Sequence, residues 1–588
     1  MKKKLIVIIT LCLMMSLSLS TKAKANSKFN GQTLTIYNVE DYISQGQDGY
    51  VDLISNFEQE YGVKVNYYTY DTNETMYNQF TLQKEGTYDL ICTSDYMIQK
   101  MIIQELVQPI DLNRIPNYQK YAATTLRNKL KEMKVPYQGS TVNLDQFAVG
   151  YMWGTLGLIY DPECSDTITE DIKSWDVLYD PKYENLISIK NSMRDAYVIG
   201  LMHHYSKDPE YKIALAKYLS PDATIEDKQE FNKLVQNIFD FELTGLPTDE
   251  EHNLEKIAYV KEELINLKKN IFGFEVDSGK NDIITGKIKI NLAYSGDAVY
   301  SIDTAREEAD KRLEYFVPED GSNIWYDAWT MPKGSKNQDL AYEFLNYLSD
   351  PQNAADNMDY IGYTPYIVGD QLFTLTSSWY GASDFATNCS YYAENESMVI
   401  YNDQLYLCIN DLEANQLDDQ GNPILPTNEE YFELCEYDKT KTYYEGDMVS
   451  YNGKIYNCIS TNEEGTSNSI TNEEEFEEVE GYDLTFLFGG SFEDENRRAI
   501  IYPYLGSLNQ LETQYPSEHV IARCAIMNDF GEYNEKVVIM WGQVKAYINM
   551  TPVYIFFAVF LVIVISISIV FIVRHHLDKK YKRSLKNN

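Results

Sequence analysis

The sequence predicts an α/β protein with largely parallel sheets, a small all-β insertion and one C-terminal transmembrane helix. Three observations predict it. Strand-like and helix-periodic segments alternate from residue 34 onward, a hairpin-like segment occurs twice between residues 398 and 459, and Val553 to Val573 is a run of 21 residues without a charge. The 588 residues, 44% of them hydrophobic, give length for several domains and the apolar content of packed globular protein. The formal net charge of -39, from 50 Lys+Arg and 89 Asp+Glu, argues against nucleic-acid or phosphate partners, whose affinity comes from Lys and Arg displacing counterions. Cationic or neutral partners are expected.

The N-terminus carries Lys2, Lys3 and Lys4, a mostly apolar stretch from Leu5 to Leu19, and Ala23-Lys24-Ala25, the small-x-small pattern of a signal-peptidase site. Residues 1–25 therefore read as a signal peptide, with an uncleaved anchor as the alternative; Cys12 has no lipobox before it. Leu34 to Asn38 is β-rich, Tyr50 to Tyr61 places Val51, Leu53, Ile54 and Phe57 at helical spacing, and Val63 to Tyr70 is strand-like again. This β-α-β start recurs through Tyr88 to Cys92 and the helical segment after it, hence the α/β class. Ligands of such open sheets bind at the carboxyl ends of strands, so a site is expected just after Tyr37 and Ile91.

The insertion spans about residues 380–482. Met398-Val-Ile-Tyr-Asn-Asp-Gln-Leu-Tyr-Leu-Cys-Ile409 repeats as Met448-Val-Ser-Tyr-Asn-Gly-Lys-Ile-Tyr-Asn-Cys-Ile459, in copies covering about 390–436 and 437–482. Asn402-Asp403 and Asn452-Gly453 supply tight-turn chemistry between alternating strands, so each copy is expected to be a hairpin. At the C-terminus, Val553 to Val573 would rise about 31 Å as a helix, matching a hydrocarbon core of about 30 Å. Arg574, Lys579, Lys580, Lys582, Arg583 and Lys586 follow, which puts the 574–588 tail in the cytoplasm and the bulk of the chain outside. Without leader and tail, 39 basic residues face 88 acidic ones. Such a surface acts only over a screening length of about 8 Å and defines no ligand by itself. Beyond the leader, Cys92, Cys164, Cys389, Cys408, Cys435, Cys458 and Cys524 include no CxxC pair, which excludes zinc ribbons and thioredoxin chemistry. Pairing of Cys408 or Cys458 with Cys435 or Cys389 stays open.

Six segments occur in one order: Leu34-Thr-Ile-Tyr-Asn-Val-Glu-Asp-Tyr42, Asn73-Glu-Thr-Met-Tyr77, Tyr88-Asp-Leu-Ile-Cys-Thr-Ser-Asp-Tyr96, Tyr151-Met-Trp-Gly154, Ile324-Trp-Tyr-Asp327 and Ile361-Gly-Tyr-Thr-Pro365. In this the chain resembles the bacterial spermidine/putrescine-binding proteins of ABC transporters, over residues 30–370 and more weakly 490–548. The resemblance implies a two-lobed clamshell of the periplasmic-binding type (type II-like), with lobe 1 in 30–150 and 327–375 and lobe 2 in 151–326 and 485–548. A polyamine would lie in the cleft, where carboxylates take its ammonium groups, aromatic faces flank its methylenes, and hydroxyls satisfy leftover N–H groups. Carried over by motif, Asp327 and Asp195 take ammonium groups, Trp325 and Tyr294 flank the stem, and Ser94, Tyr96, Tyr42 and Tyr363 give shape and hydrogen bonds. Val39, Ser192, Tyr294 and Met527 depart from the family pattern, and Glu40 is counted as an added acid at the cleft. A shifted amine register, a different polyamine and a solvated loop acid all remain open. Arg194 is expected to order Asp195, and Trp325 and Trp329 also fit as plain core aromatics. The run Tyr444 to Tyr456 looks like small chitin-binding-type carbohydrate modules, although none of the six Trp falls in the insertion.

The chain lacks GxSxG, HExxH and P-loop patterns, and its six histidines form no catalytic or metal-spaced set. No enzyme activity, metal or cofactor is expected. The reading is a polyamine receptor of an ABC importer, single-pass in the cell membrane, with permease subunits as partners. The alternative is a surface adhesin or wall-carbohydrate binder on the same scaffold, with cell-wall carbohydrate reached through the repeats.

Overall fold

The computed structural model describes residues 28–241, 247–275, 278–461, 469–548 and 551–584. The expected signal peptide lies outside the described residues. The chain opens as β1 (Thr33–Val39), α1 (Leu53–Tyr61) and β2 (Lys64–Tyr70). Asp52 starts α1 by accepting a hydrogen bond from the Ser55 N–H, Gly62 ends it in the left-handed region, and Leu53, Ile54 and Phe57 form its buried face. Then come β3 (Leu90–Ser94), α2 (Asp95–Ile103), β4 (Ala148–Tyr160), β5 (Ile187–Lys190), α3 (Met193–Tyr205), β6 (Gly273–Glu275), β7 (Ile290–Tyr294), α4 (Ser295–Ala309) and β8 (Ser322–Pro332).

These strands join in one sheet in the order β2-β1-β3-β8-β4-β7-β5-β6. Its wings are parallel, β1 with β2 and β3 on one side, β5 with β6 and β7 on the other. The centre is not. Long strands β4 and β8 pair antiparallel with each other, and β8 is antiparallel to β3 and β4 to β7, so the sheet is mixed rather than largely parallel. The reason is length: β4 has 13 residues and β8 has 11, so each reaches from one wing to the other and serves both lobes. One large core gathers Leu34, Ile36, Trp153 and Trp329, and a second gathers Trp175, Ile189, Tyr197 and Leu292. The fold is thus the two-lobed periplasmic-binding type, with a crossover at the middle of β4 and β8.

The C-terminal return divides. Leu484, Leu487, Phe488, Ile501, Leu511 and Tyr515 join the first core, whereas Met527, Phe530, Val537, Met540 and Trp541 join the second. Residues 485–548 therefore do not return to lobe 2 as a unit. The Arg497 guanidinium fixes the first half, Nη1 donating to Asp370 Oδ1 at 2.6 Å and Nη2 to Thr374 Oγ1 at 2.8 Å, with the Arg497 side chain 1% exposed.

Between these segments lie β9 (Gly381–Asp384), the hairpin β10 (Met398–Tyr401) and β11 (Gln404–Cys408), β12 (Phe432–Leu434), the hairpin β13 (Met448–Tyr451) and β14 (Lys454–Cys458), β15 (Phe476–Glu478), β16 (Tyr482–Asp483) and β17 (Ile500–Pro503). Both hairpin turns hold two residues at positive φ, Asn402 at 51° and Asp403 at 59°, Asn452 at 50° and Gly453 at 76°, as type I′ turns require. The first repeat extends a sheet ordered β12-β11-β10-β9-β17-β16, and the second forms its own sheet β13-β14-β15. Ile400 and Leu405 of the first pack with Met448 and Ile455 of the second, so the copies share a core. All seven described cysteines are free thiols, Cys408 and Cys458 at equivalent buried places. The last helices are α5 (Asn534–Ala546) and α6 (Thr551–Ser584). In α6, Ile555–Arg583 is long and apolar enough to cross a membrane, and none of it is buried.

Removing one member of a buried ion pair strands the other, at a cost of about 3–5 kcal/mol. Asp370→Ala is expected to cost that much in urea unfolding of the full chain in detergent; a loss under about 1 kcal/mol would show that Arg497 does not hold the return segment.

Candidate functional site

The expected residues meet where β4 and β8 cross. Asp327 in β8 lies opposite Ser94, the last residue of β3. On its other side the β4 register slips, Asp327 facing Met152 and Ala328 facing Gly150, so Tyr151 is the extra residue of a β-bulge. Bulges bend a strand and re-aim side chains, and this one sits at the central acid. Tyr151 is used in place: its Oη donates to the Tyr42 carbonyl at 2.6 Å and accepts from Asn357 Nδ2 at 2.8 Å. Tyr42 is thereby held with its Oη donating to Asp327 Oδ2 at 2.8 Å. Asp327 is 9% exposed, and its Oδ1 is buried without a hydrogen-bond partner among the described residues. Burial pushes its pKa up to about 6, against which the Ser94 and Tyr42 hydroxyls act.

An aromatic file leads from this acid to the second. Tyr42 meets Tyr363 edge-on with ring centres 5.4 Å apart, Tyr363 meets Trp325 at 5.5 Å, and Trp325 meets Tyr294 at 5.9 Å. The Tyr294 hydroxyl donates to Asp195 Oδ2 at 2.5 Å. Asp195 lies in the first turn of α3, 5% exposed, where Ser192 caps the helix by accepting its N–H. Burial raises its pKa, opposed by the Tyr294 and Ser192 hydroxyls and by Lys190 and Arg194. Two glycines let the rings in close. A methyl on Gly154, which faces Trp325 across the strands, would come within 2.7 Å of the Trp325 ring, and one on Gly296 would come within 2.4 Å of Tyr363.

Eight of the nine expected residues thus fall in one neighbourhood: Asp327, Trp325, Asp195, Tyr294, Tyr363, Tyr42, Ser94 and Tyr96. Glu40 does not join them; it is exposed in the turn after β1. Of the paired tryptophans, Trp329 is core at 1% exposure, while Trp325 is half-buried in the aromatic file. Tyr96 donates from Oη to Glu74 Oε1 at 3.0 Å, but its ring face is covered by Arg194, whose guanidinium carbon lies 3.6 Å from the ring centre. Arg194 does not order Asp195 by direct contact as expected; its Nη2 donates to the carbonyls of Met527 and Asn528.

Sequence reasoning missed two further acids. Asp95 opens α2 after β3, and Asp297 lies in the first turn of α4 after β7, so each lobe brings a strand end, a helix start and an acid to the crossover. The signal was the parallel between Thr93-Ser-Asp95 and Ser295-Gly-Asp297. Burial raises the Asp95 pKa to about 7, with Arg194 opposing. For Asp297 burial acts upward, but Lys190 and Lys280 hold it below the usual carboxylate value. Tyr363 Oη donates to Asp297 Oδ1 at 3.0 Å. Together the site offers three buried acids without an ion-pair partner among the described residues, Asp95, Asp195 and Asp327, the last two joined by aromatic faces.

The profile of the bacterial extracellular solute-binding proteins matches residues 52–369, and that of carbohydrate-binding module family 5/12 matches residues 436–469. The chain is 26% identical over 346 residues to the spermidine/putrescine-binding periplasmic protein of Salmonella typhimurium, which covers 59% of this chain and 81% of that protein. It is 27% identical over 340 residues to the putrescine-binding periplasmic protein PotF of Escherichia coli K12, covering 56% and 77%. Among solved structures, the spermidine/putrescine ABC transporter substrate-binding protein PotD of Streptococcus pneumoniae is 27% identical with a TM-score of 0.40, over 57% of this chain and 84% of that one.

A carboxyl raised from 3.8 to about 6 by folding is unpenalised below pH 3.8, where both states are protonated. Stability falls as pH rises from there to 6, and above that the penalty is constant at about 3 kcal/mol. Asp327→Asn in the ligand-free protein is therefore expected to raise the thermal midpoint at pH 7.5 by about 2 °C or more, with the gain vanishing near pH 4. Equal gains at both pH values would contradict the assignment.

Proposed function

We propose that this chain, which belongs to the bacterial extracellular solute-binding protein family, is the membrane-held polyamine receptor of an ABC importer. The observation that carries the reading is Asp327 Oδ1, a buried carboxylate oxygen with no partner among the described residues, at the head of an aromatic file ending on Asp195. A polyamine is a string of methylenes with ammonium groups at fixed intervals. Its ammonium supplies the missing charge at Asp327, and Trp325, Tyr363 and Tyr294 offer faces to the stem, each contact worth about 0.5–2 kcal/mol. The relatives named above are spermidine/putrescine- and putrescine-binding proteins, which agrees with this chemistry.

Its acids and aromatic faces suit the binding of a cation, in keeping with a family of solute-binding receptors. Helix α6 serves as the anchor, with the basic residues from Arg574 onward in the cytoplasm. Tethering keeps the receptor close to its permease at a high effective concentration. A second reading, a wall-carbohydrate binder acting through the repeats, is favoured by the carbohydrate-binding module match at 436–469. Tyr444, 63% exposed in that stretch, is its candidate sugar platform.

Calorimetry on the full chain in lipid nanodiscs separates the two. The polyamine reading expects binding of putrescine or spermidine that weakens at least about thirtyfold in Asp327→Asn, since losing one member of a buried charge pair costs about 2–5 kcal/mol. Affinity is expected to fall about tenfold per pH unit below 6, as protonated Asp327 gives up its proton to bind. No heat with any amine, but heat with chito-oligosaccharides, would favour the second reading.

A further inference from the structure

Strands β5, β6 and β7 of the second lobe run parallel, so their ends sort by direction. Their carboxyl ends face the crossover, where Lys190 meets Glu275 and Asp297. Their starting ends form the opposite pole of the lobe, and backbone bonds join the loops there into one surface. The Asn185 N–H donates to the Asn270 carbonyl at 2.8 Å, the Phe272 N–H to that of Ile187 at 2.6 Å, and the Lys289 N–H to that of Leu186 at 2.7 Å.

The chain leaves for the membrane-length helix from this pole. Helix α5 packs on the lobe through Val537, Met540, Trp541 and Val544, and Lys268, just past the helix Pro247–Leu267, ties down its last turn. The Lys268 ammonium donates to the carbonyls of Val544 at 3.1 Å, Lys545 at 2.5 Å and Tyr547 at 2.8 Å, groups of the kind a helix end leaves without an internal partner. Helix α6 begins at Thr551, so the chain from Tyr547 spans at most about 14 Å before it. The uncharged run starts at Val553, which puts the pole within about 20 Å of the hydrocarbon, and the headgroup layer fills about 5–7 Å of that gap.

The surface of the pole suits such a neighbour. Phe272 is 50% exposed and Ile548 73% exposed, and the Lys287 ammonium lies 4.7 Å from the Phe272 ring centre. On a chain with 50 Lys+Arg against 89 Asp+Glu, segments 266–272, 284–289 and 544–548 hold five lysines and no acid. Lys268 is used on the α5 carbonyls, Lys287 pairs with Asp282 at 3.0 Å and Lys289 with Asp161 at 2.8 Å. Lys269 and Lys545 are exposed and make no ion pair among the described residues. The adjoining loop adds Lys182 against Asp180 and Glu184. An anionic bilayer repels an acidic surface and attracts lysines placed at its headgroups, and aromatic rings settle at the same depth.

We infer that the pole of lobe 2 opposite the cleft is a lipid-contact surface, with Phe272 and Ile548 entering the headgroup layer and Lys269 and Lys545 meeting anionic headgroups. The inference rests on α6 being the anchor and adds which face of the receptor lies on the bilayer. Lobe 2 is then the lobe held at the membrane, and lobe 1 with the insertion is the one free to move.

The test uses the full chain in nanodiscs. Phe272→Trp is compared with Leu82→Trp, a control on lobe 1 at 85% exposure, in discs with and without lipid brominated near the top of its acyl chains, which quenches tryptophan at short range. Relative to the wild type, brominated lipid is expected to remove at least about half of the emission added by Phe272→Trp and to spare that added by Leu82→Trp. Quenching of Phe272→Trp no greater than that of Leu82→Trp overturns the inference. In the unsubstituted protein, acylation of Lys269 and Lys545 is expected to be at least about threefold slower in anionic than in zwitterionic discs, with the exposed Lys64 of lobe 1 unchanged. No slowing at Lys269 and Lys545 overturns their assignment to lipid, and this measurement decides alone if Phe272→Trp does not fold. A chain that fails to enter the discs contradicts the anchor itself, whereas amine binding is indifferent to all of these outcomes.

Discussion

The buried carboxylate of Asp327 is the constraint around which the cleft is arranged. Taking an ionised carboxylate out of water is unfavourable by several kcal/mol unless a cation or hydrogen bonds replace the solvent. Here one oxygen accepts from the Tyr42 hydroxyl and the other is buried without a hydrogen-bond partner among the described residues, with Ser94 opposite it across the strands. The surrounding features serve that one group. The bulge at Tyr151 supports Tyr42 from behind, the end of β3 brings Ser94 opposite, and Gly154 lets Trp325 lie against the strand that carries the site. A well-packed apolar residue would be less costly at this position; on the proposed reading a cationic ligand completes the charge.

The same geometry couples binding to the relative position of the lobes. Strands β4 and β8 pass through both, and the acids stand at their crossing. Tyr363 meets Asp297, Arg194 meets Tyr96 and Gln99 meets Asn528 around this crossing. A ligand draws the lobes closed by as much as it prefers the closed cleft to the open one, and on the proposed reading a polyamine with one ammonium at Asp327 and another at Asp195 would have that preference.

What could be read from the sequence was what short-range pattern encodes. The β-α-β start, the hairpins at Asn402-Asp403 and Asn452-Gly453 and the apolar helix near the C-terminus each follow from periodicity or turn chemistry within a few residues. The resemblance then brought eight of the nine expected side chains to one place. Illegible were the features set by distant partners. Antiparallel pairing of β4 with β8, which turned a parallel sheet into a mixed one, joins residues some 170 positions apart. Arg194 beside Asp195 in sequence suggested a local pair, yet its partners are Tyr96, Phe530 and the carbonyls at 527 and 528. Trp325 and Trp329 were equivalent on paper, and only packing separates a half-buried ring in the file from a core ring. The return after the insertion looked continuous because nothing between Leu484 and Val544 signals that its first half packs on one core and its second half on the other.

The central claim is that Asp327 is a protonatable acid waiting for a cation, and proton release on binding measures it most directly. Calorimetric titration of putrescine at pH 6 in two buffers of different ionisation enthalpy gives the number of protons released per ligand. With the Asp327 carboxyl near 6 before binding and well below it afterwards, about half a proton more is expected from the wild type than from Asp327→Asn. Equal release from the two proteins, with binding intact in both, would contradict the account.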